Sequence, residues 1–254
     1  MTTTNSKAAG GRTAVLALMM IVGCSSPRLA VPVYVPPGAD FTTFARGVGT
    51  ARGLMVINPA RGPSEDSEGY ADAVKAARAL GARVLGYVST GRGDGDAAKI
   101  DQATSLYLSR LHVDGIFFDE APGESNCAQR LPWYAARAAA AERAHPRGDA
   151  FIVVNPGGHT CEGFLAFADV IVVREESAAE VLAWRPQSWV ARYDASRFWL
   201  LAYAASRAQF DAVRAHARAS NVGWLYVTDD LLDNPWDKPP SYWDAEVEAL
   251  RQRR

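Results

Sequence analysis

Residues 113–120 read Val-Asp-Gly-Ile-Phe-Phe-Asp-Glu. Gly115–Phe118 is an unbroken apolar run, and two carboxylates follow it at once. A short continuous apolar run, unlike an alternating one, marks a strand covered on both faces, as in parallel sheets. The pattern recurs upstream in Val31–Val35 (VPVYV), Gly53–Ile57 (GLMVI) and Arg83–Val88 (RVLGYV). It recurs downstream in Phe151–Val154 (FIVV), Val170–Val173 (VIVV), Trp199–Ala202 (WLLA) and Gly223–Val227 (GWLYV). Helical spacing fills the gaps: Tyr70–Leu80, stopped by Gly81, then Ala98–Leu111, Leu131–Ala144, Ala178–Trp184, Gln209–Ala219 and Ser241–Arg251. Eight strands alternating with helical segments in about 220 residues predict a single α/β domain, a (β/α)8 TIM barrel over residues 31–254. A doubly wound sheet would normally place a Gly-rich phosphate loop after the first strand, where this chain has Val35-Pro36-Pro37-Gly38.

The N-terminus reads as an address. Lys7 and Arg12 precede the apolar run Ala14–Val22, and Gly23-Cys24-Ser25-Ser26 follows. Nine apolar residues cannot span a hydrocarbon core, which needs roughly 20 in a helix, but they suit a signal peptide. Ile21-Val22-Gly23-Cys24 resembles a bacterial lipobox, so residues 1–23 are expected to be removed and Cys24 lipidated. Residues 24–30 would then be a short tether, and the protein would be exported and held on a membrane. In that oxidising setting Cys127 and Cys161 form an even pair. Both fall in loops after neighbouring strands on one rim, so a disulfide between them is within reach.

Net charge is −1, from 27 Lys+Arg against 28 Asp+Glu, which argues against a nucleic-acid partner. No GxSxG elbow appears, neither cysteine sits in a thiol-protease signature, and the four histidines lack HExxH spacing. The stretch 91–96 is faintly like a calcium loop but lacks the terminal glutamate. Neither metal nor organic cofactor is expected, and the protein is expected to be a monomer.

In such barrels the active site lies at the C-terminal ends of the strands. The predicted strands end in Asn58, Ser89-Thr90, Asp119-Glu120, Asn155-Pro156-Gly157, Arg174-Glu175-Glu176 and Thr228-Asp229-Asp230. Acidic groups from the fourth and sixth strands could face each other across the mouth. Paired carboxyl groups around a sugar linkage are the working unit of most glycosidases, one kept protonated and the other ionised. Acids after a strand also serve as helix caps, a structural alternative for any single one of them. Of the seven tryptophans, most are expected to pack helices against the barrel, with sugar stacking open to any of them.

These residues together resemble the spherulation-specific family 4 proteins. The similarity is carried by Val31-Pro32-Val33-Tyr34-Val35-Pro36-Pro37-Gly38, Val56–Pro63, Val84–Thr90, Val113–Glu120, Asn155-Pro156-Gly157 and Ala168–Glu175. The resemblance implies a TIM-barrel glycoside hydrolase acting on α-1,4-linked galactosamine or N-acetylgalactosamine polymers. Carried over by position, Asp119 is the nucleophile or stabilising carboxylate, Glu175 the general acid/base, and Glu120 a group that tunes its neighbour. Substrate contacts are expected from Tyr34, Asn58, Tyr87, Thr90 and Arg92, and from Asn155, Arg174, Tyr203 and Asp229 farther round the rim. Arg174 stands where the family usually has an aromatic residue. A cation there would favour ionised Glu175 unless it turns away. The second reading, a non-catalytic glycan-binding lipoprotein on the same fold, rests on Arg174 and on a missing strand-seven histidine.

Overall fold

The structure is a computed structural model describing residues 26–59, 62–63 and 67–251. The expected leader (1–23) and Cys24 lie outside the described residues.

Eight parallel strands close into one barrel in chain order. They are β1 (Arg28–Val33), β2 (Leu54–Ile57), β3 (Arg83–Ser89), β4 (Gly115–Asp119), β5 (Phe151–Val154), β6 (Val170–Ser177), β7 (Phe198–Tyr203) and β8 (Trp224–Val227). The ring closes where Arg28 and Leu29 pair with Trp224 and Leu225. The helices are α1 (Ala39–Ala51), α2 (Glu68–Ala79), α3 (Ala97–Ser109), α4 (Cys127–Ala144), α5 (Ala178–Ala183), α6 (Arg207–Ala219) and α7 (Trp243–Leu250). Strands β2 and β8 are buried along their whole length, as the continuous apolar runs require.

Several elements depart from the sequence expectation, each for a local reason. β1 starts at Arg28 because closure recruits its first residues to β8, and the Arg28 guanidinium lies 3.6 Å over the Trp224 ring. Residues 28–30 therefore belong to the barrel and not to a tether. β6 runs on through Ser177, with a bulge between Val172 and Arg174, because β7 is long enough to pair with the polar extension. No α-helix follows β5 among the described residues; a 3-10 turn over Glu162–Ala166 takes its place. Pro156, Gly157, Gly158 and Gly163 punctuate that connection too often for a helix to propagate. Helix α1 has no clear range in the sequence because Gly47 and Gly49 depress its propensity. Gly47 is there for packing: a Cβ at that position would run into the Trp243 ring of α7.

The connections after β4 and β5 are laced together. Ala121 N–H donates to the Asn155 carbonyl at 2.8 Å, Glu124 N–H to the His159 carbonyl at 3.0 Å, and the Thr160 hydroxyl to the Pro122 carbonyl at 2.9 Å. Cys127 and Cys161 are joined by a disulfide across the same two loops, with Cα atoms 5.9 Å apart. Alkylation of the denatured, unreduced protein is expected to leave both thiols unlabelled. Replacing both by Ser should cost about 2–4 kcal/mol in denaturant unfolding.

Candidate active site

Three consecutive strands deliver the polar centre. Asp119 is the last residue of β4, Asn155 follows β5, and Glu175 lies in the bulged extension of β6. Asn155 Nδ2 donates to Asp119 Oδ1 at 2.7 Å and to Glu175 Oε2 at 2.6 Å. Its Oδ1 accepts the Gly157 N–H at 2.8 Å, so the amide has one orientation and cannot flip. Two oxygens sharing one nitrogen at hydrogen-bond distance lie within about 5 Å of each other. The acids of β4 and β6 do converge at the mouth.

Aromatic groups complete the surround. Tyr87, at the upper end of β3, hydrogen-bonds Asp119, and the Trp236 indole N–H donates to Glu175 from the connection after β8. Tyr34 and Tyr87 meet edge to face at 5.5 Å, as Tyr203 and Trp236 do at 6.4 Å. Burial and the nearby carboxylates push the Tyr34 and Tyr87 phenols up, so both remain protonated donors.

This low-dielectric setting raises the proton affinity of both acids. Burial, chiefly, lifts Glu175 from 4.5 to about 7, and the charges of Asp119 and Glu176 push the same way against the Asn155 and Trp236 hydrogen bonds. Asp119 is raised too, by burial first. The Glu120 backbone, Tyr87 and Asn155 hydrogen bonds oppose that rise by stabilising its charged form. Arg174 does not neutralise the pair. Its guanidinium reaches Glu180 of α5 at 3.8 Å.

The remaining predicted residues divide. Tyr34, Tyr87 and Asn155 adjoin the acids, and Asn58 is half-buried just past the end of β2. The Tyr203 hydroxyl donates to Glu176 Oε2 at 3.2 Å. Glu120 is exposed and turned toward the β3 loop, where it accepts the Ser89 hydroxyl at 2.6 Å and the Gly91 N–H at 3.3 Å. Arg92 is exposed on that loop, its N–H donating to the Glu120 carbonyl at 2.8 Å.

One expectation of substrate contact, Thr90, is corrected, and at Asp229 and Arg174 the side chain is engaged by a neighbouring group. Thr90 is 0 % exposed; its hydroxyl donates to the Asp119 carbonyl at 2.6 Å and meets the Tyr134 hydroxyl at 2.5 Å. It braces the end of β4 and cannot reach a ligand. Asp229 accepts the Ser241 N–H at 3.2 Å and the Ser241 hydroxyl, tying the β8 end to the segment before α7. Arg174 faces α5, as described above. Trp236 is the residue that sequence reasoning missed. Its signal was a tryptophan in Asn234-Pro235-Trp236-Asp237, outside any helix pattern and just past a strand end. Among the described residues, no group of three or more His, Cys, Asp or Glu is arranged to hold a metal ion.

Comparison with known proteins agrees with this architecture. The family model for spherulation-specific family 4 matches residues 28–250. Spherulin-4 of Physarum polycephalum is 28% identical over 158 residues, which is 61% of this chain and 46% of that protein. The match thus spans about half the length of that relative. Among solved structures, Aspergillus clavatus Sph3 in complex with GalNAc superposes with a TM-score of 0.74 at 18% identity, covering 89% of this chain and 97% of that one. The glycoside hydrolase domain of PgaB (BpsB) from Bordetella bronchiseptica gives 0.58 at 11% identity, covering 91% and 100%. A GH18 chitinase from Pseudoalteromonas aurantia gives 0.54 at 10%, covering 88% and 100%. At these identities the structural likeness speaks for the barrel alone. The family rests on the match along nearly the whole described chain: this protein belongs to spherulation-specific family 4.

Proposed function

We propose that this protein is an exported, lipid-anchored glycoside hydrolase, endo-acting on an α-1,4-linked galactosamine or N-acetylgalactosamine surface polysaccharide. The observation that carries the reading is the single Asn155 amide held between two buried carboxyl groups, of which Glu175 is pushed up to about 7. Glu175, protonated up to about pH 7, gives its proton to the leaving glycosidic oxygen. Asp119, whose charge the Tyr87 and Asn155 hydrogen bonds support against burial, attacks or stabilises the anomeric carbon. Water then completes the cycle, with Glu175 acting as base. The naming of Sph3 with GalNAc supports an amino sugar as substrate. So do the carboxylates of Glu120 and Glu176 beside the pair, which would attract de-N-acetylated, cationic stretches. Of the two grounds for the non-catalytic alternative, the Arg174 cation is drawn toward Glu180, and the missing strand-seven histidine stands.

Asp119→Asn and Glu175→Gln should each lower release of reducing ends from acetylated and partly de-N-acetylated galactosamine polymers by at least about a hundredfold. Turnover equal to wild type in both variants would remove the assignment.

Activity requires Glu175 protonated, so kcat/KM should fall as pH rises through about 7, and Glu175→Gln should abolish that limb. The same shift has a stability sign. The native state holds a proton that the unfolded chain has lost between 4.5 and about 7, so stability falls as pH rises across that interval. Chemical unfolding across this range checks the slope, which should flatten in Glu175→Gln.

Carboxyl oxygens within about 5 Å match double displacement rather than the roughly 6.5–9.5 Å that admits a water between sugar and base. The product released first should keep its anomeric configuration, as read by NMR immediately after cleavage.

A further inference from the structure

A net charge of −1 hides a strong separation of charge along the barrel axis. Acidic residues gather at the mouth. The opposite face, where strands start and most helices end, is rich in arginine. Arg28 and Arg83 open β1 and β3, Arg52 and Arg110 cap α1 and α3, Arg143 lies in the last turn of α4, and Arg147 follows it. All except half-buried Arg28 are exposed. Asp149 pairs with Arg147 at 3.3 Å, and Asp194 lies near Arg28, so Arg52, Arg83, Arg110 and Arg143 carry the basic excess. Helix C-termini favour cations on their own account. That cannot explain Arg28 and Arg83 at strand starts, where the guanidinium carbons lie over the Trp224 ring at 3.6 Å and the Phe151 ring at 4.5 Å. A guanidinium held over a ring keeps N–H donors for phosphate oxygens, to which its fork is matched.

The chain enters at this same face. Ser26 precedes β1 by a single residue, and Cys24 lies two residues before Ser26, a span of at most about 7 Å. We propose that this arginine-rich face docks on the anionic phospholipid headgroups of the membrane, with the acidic mouth turned outward to the polymer. The geometry rests on the anchor reading for its direction of approach; the headgroup contact rests on the arginines. A single acyl-bearing anchor leaves a domain free to tumble, whereas a basic surface beside it supplies the second membrane signal that fixes orientation.

The chain from Ser26 onward, which holds the whole closed barrel and no lipid, should co-sediment with vesicles of phosphatidylglycerol and phosphatidylcholine. It should not co-sediment with phosphatidylcholine alone. Affinity should drop at least about tenfold as salt rises from ~0.05 to ~0.5 M. The triple variant Arg52→Glu, Arg110→Glu, Arg143→Glu should lose this binding while keeping its far-UV circular dichroism and melting temperature. If the triple variant does not fold, the three single substitutions each replace it and should weaken binding in part. Binding that ignores lipid charge, or folded variants that bind as wild type does, would overturn the proposal. Intact mass of the membrane-extracted protein tests Cys24 separately. Absence of an acyl group would end the anchor reading and leave the vesicle result standing.

Discussion

Everything chemical in this barrel depends on one primary amide holding two carboxyl groups. An NH2 group has two hydrogens, and Asn155 gives one to Asp119 and one to Glu175 while Gly157 fixes its oxygen. Without a donor between them, the charged forms of two acids this close and this sheltered would repel, and one would hold its proton to still higher pH. With it, both carboxyl groups are fixed at the mouth, and Glu175 keeps a proton to near neutral pH, as a general acid requires.

The scaffold serves that constraint. Asp119, Asn155 and Glu175 come from adjacent strands, so their Cα positions follow from sheet spacing. Only the last few ångströms are left to side chains. Thr90 and Tyr134 brace the end of β4 from behind. The Cys127–Cys161 disulfide and three loop hydrogen bonds stitch the β4 and β5 connections on either side of Asn155. Precision in a site of this kind comes from supports that never touch the substrate.

Charge placement gives the molecule a direction. Acids gather at the mouth because strand C-termini carry the chemistry, and arginines gather where helices end and the chain enters. One end would suit a cationic polymer and the other a phosphate-rich surface. The same segregation explains why composition, which sums over both ends, yields almost zero.

The strand order and the barrel were legible in the sequence, because apolar periodicity and turn-forming residues act locally, while Asp119 and Glu175 were singled out among the strand-end acids by the family resemblance. The range of α1 was not legible there, since Gly47 is explained only by Trp243 from the other end of the chain. What tertiary structure alone decided was the direction of side chains at the strand ends. Thr90 turns inward, Arg174 turns to α5, and Trp236 reaches Glu175 from the connection after β8. Those directions depend on a bulge in β6 and on register between strands far apart in sequence, and no local pattern encodes either.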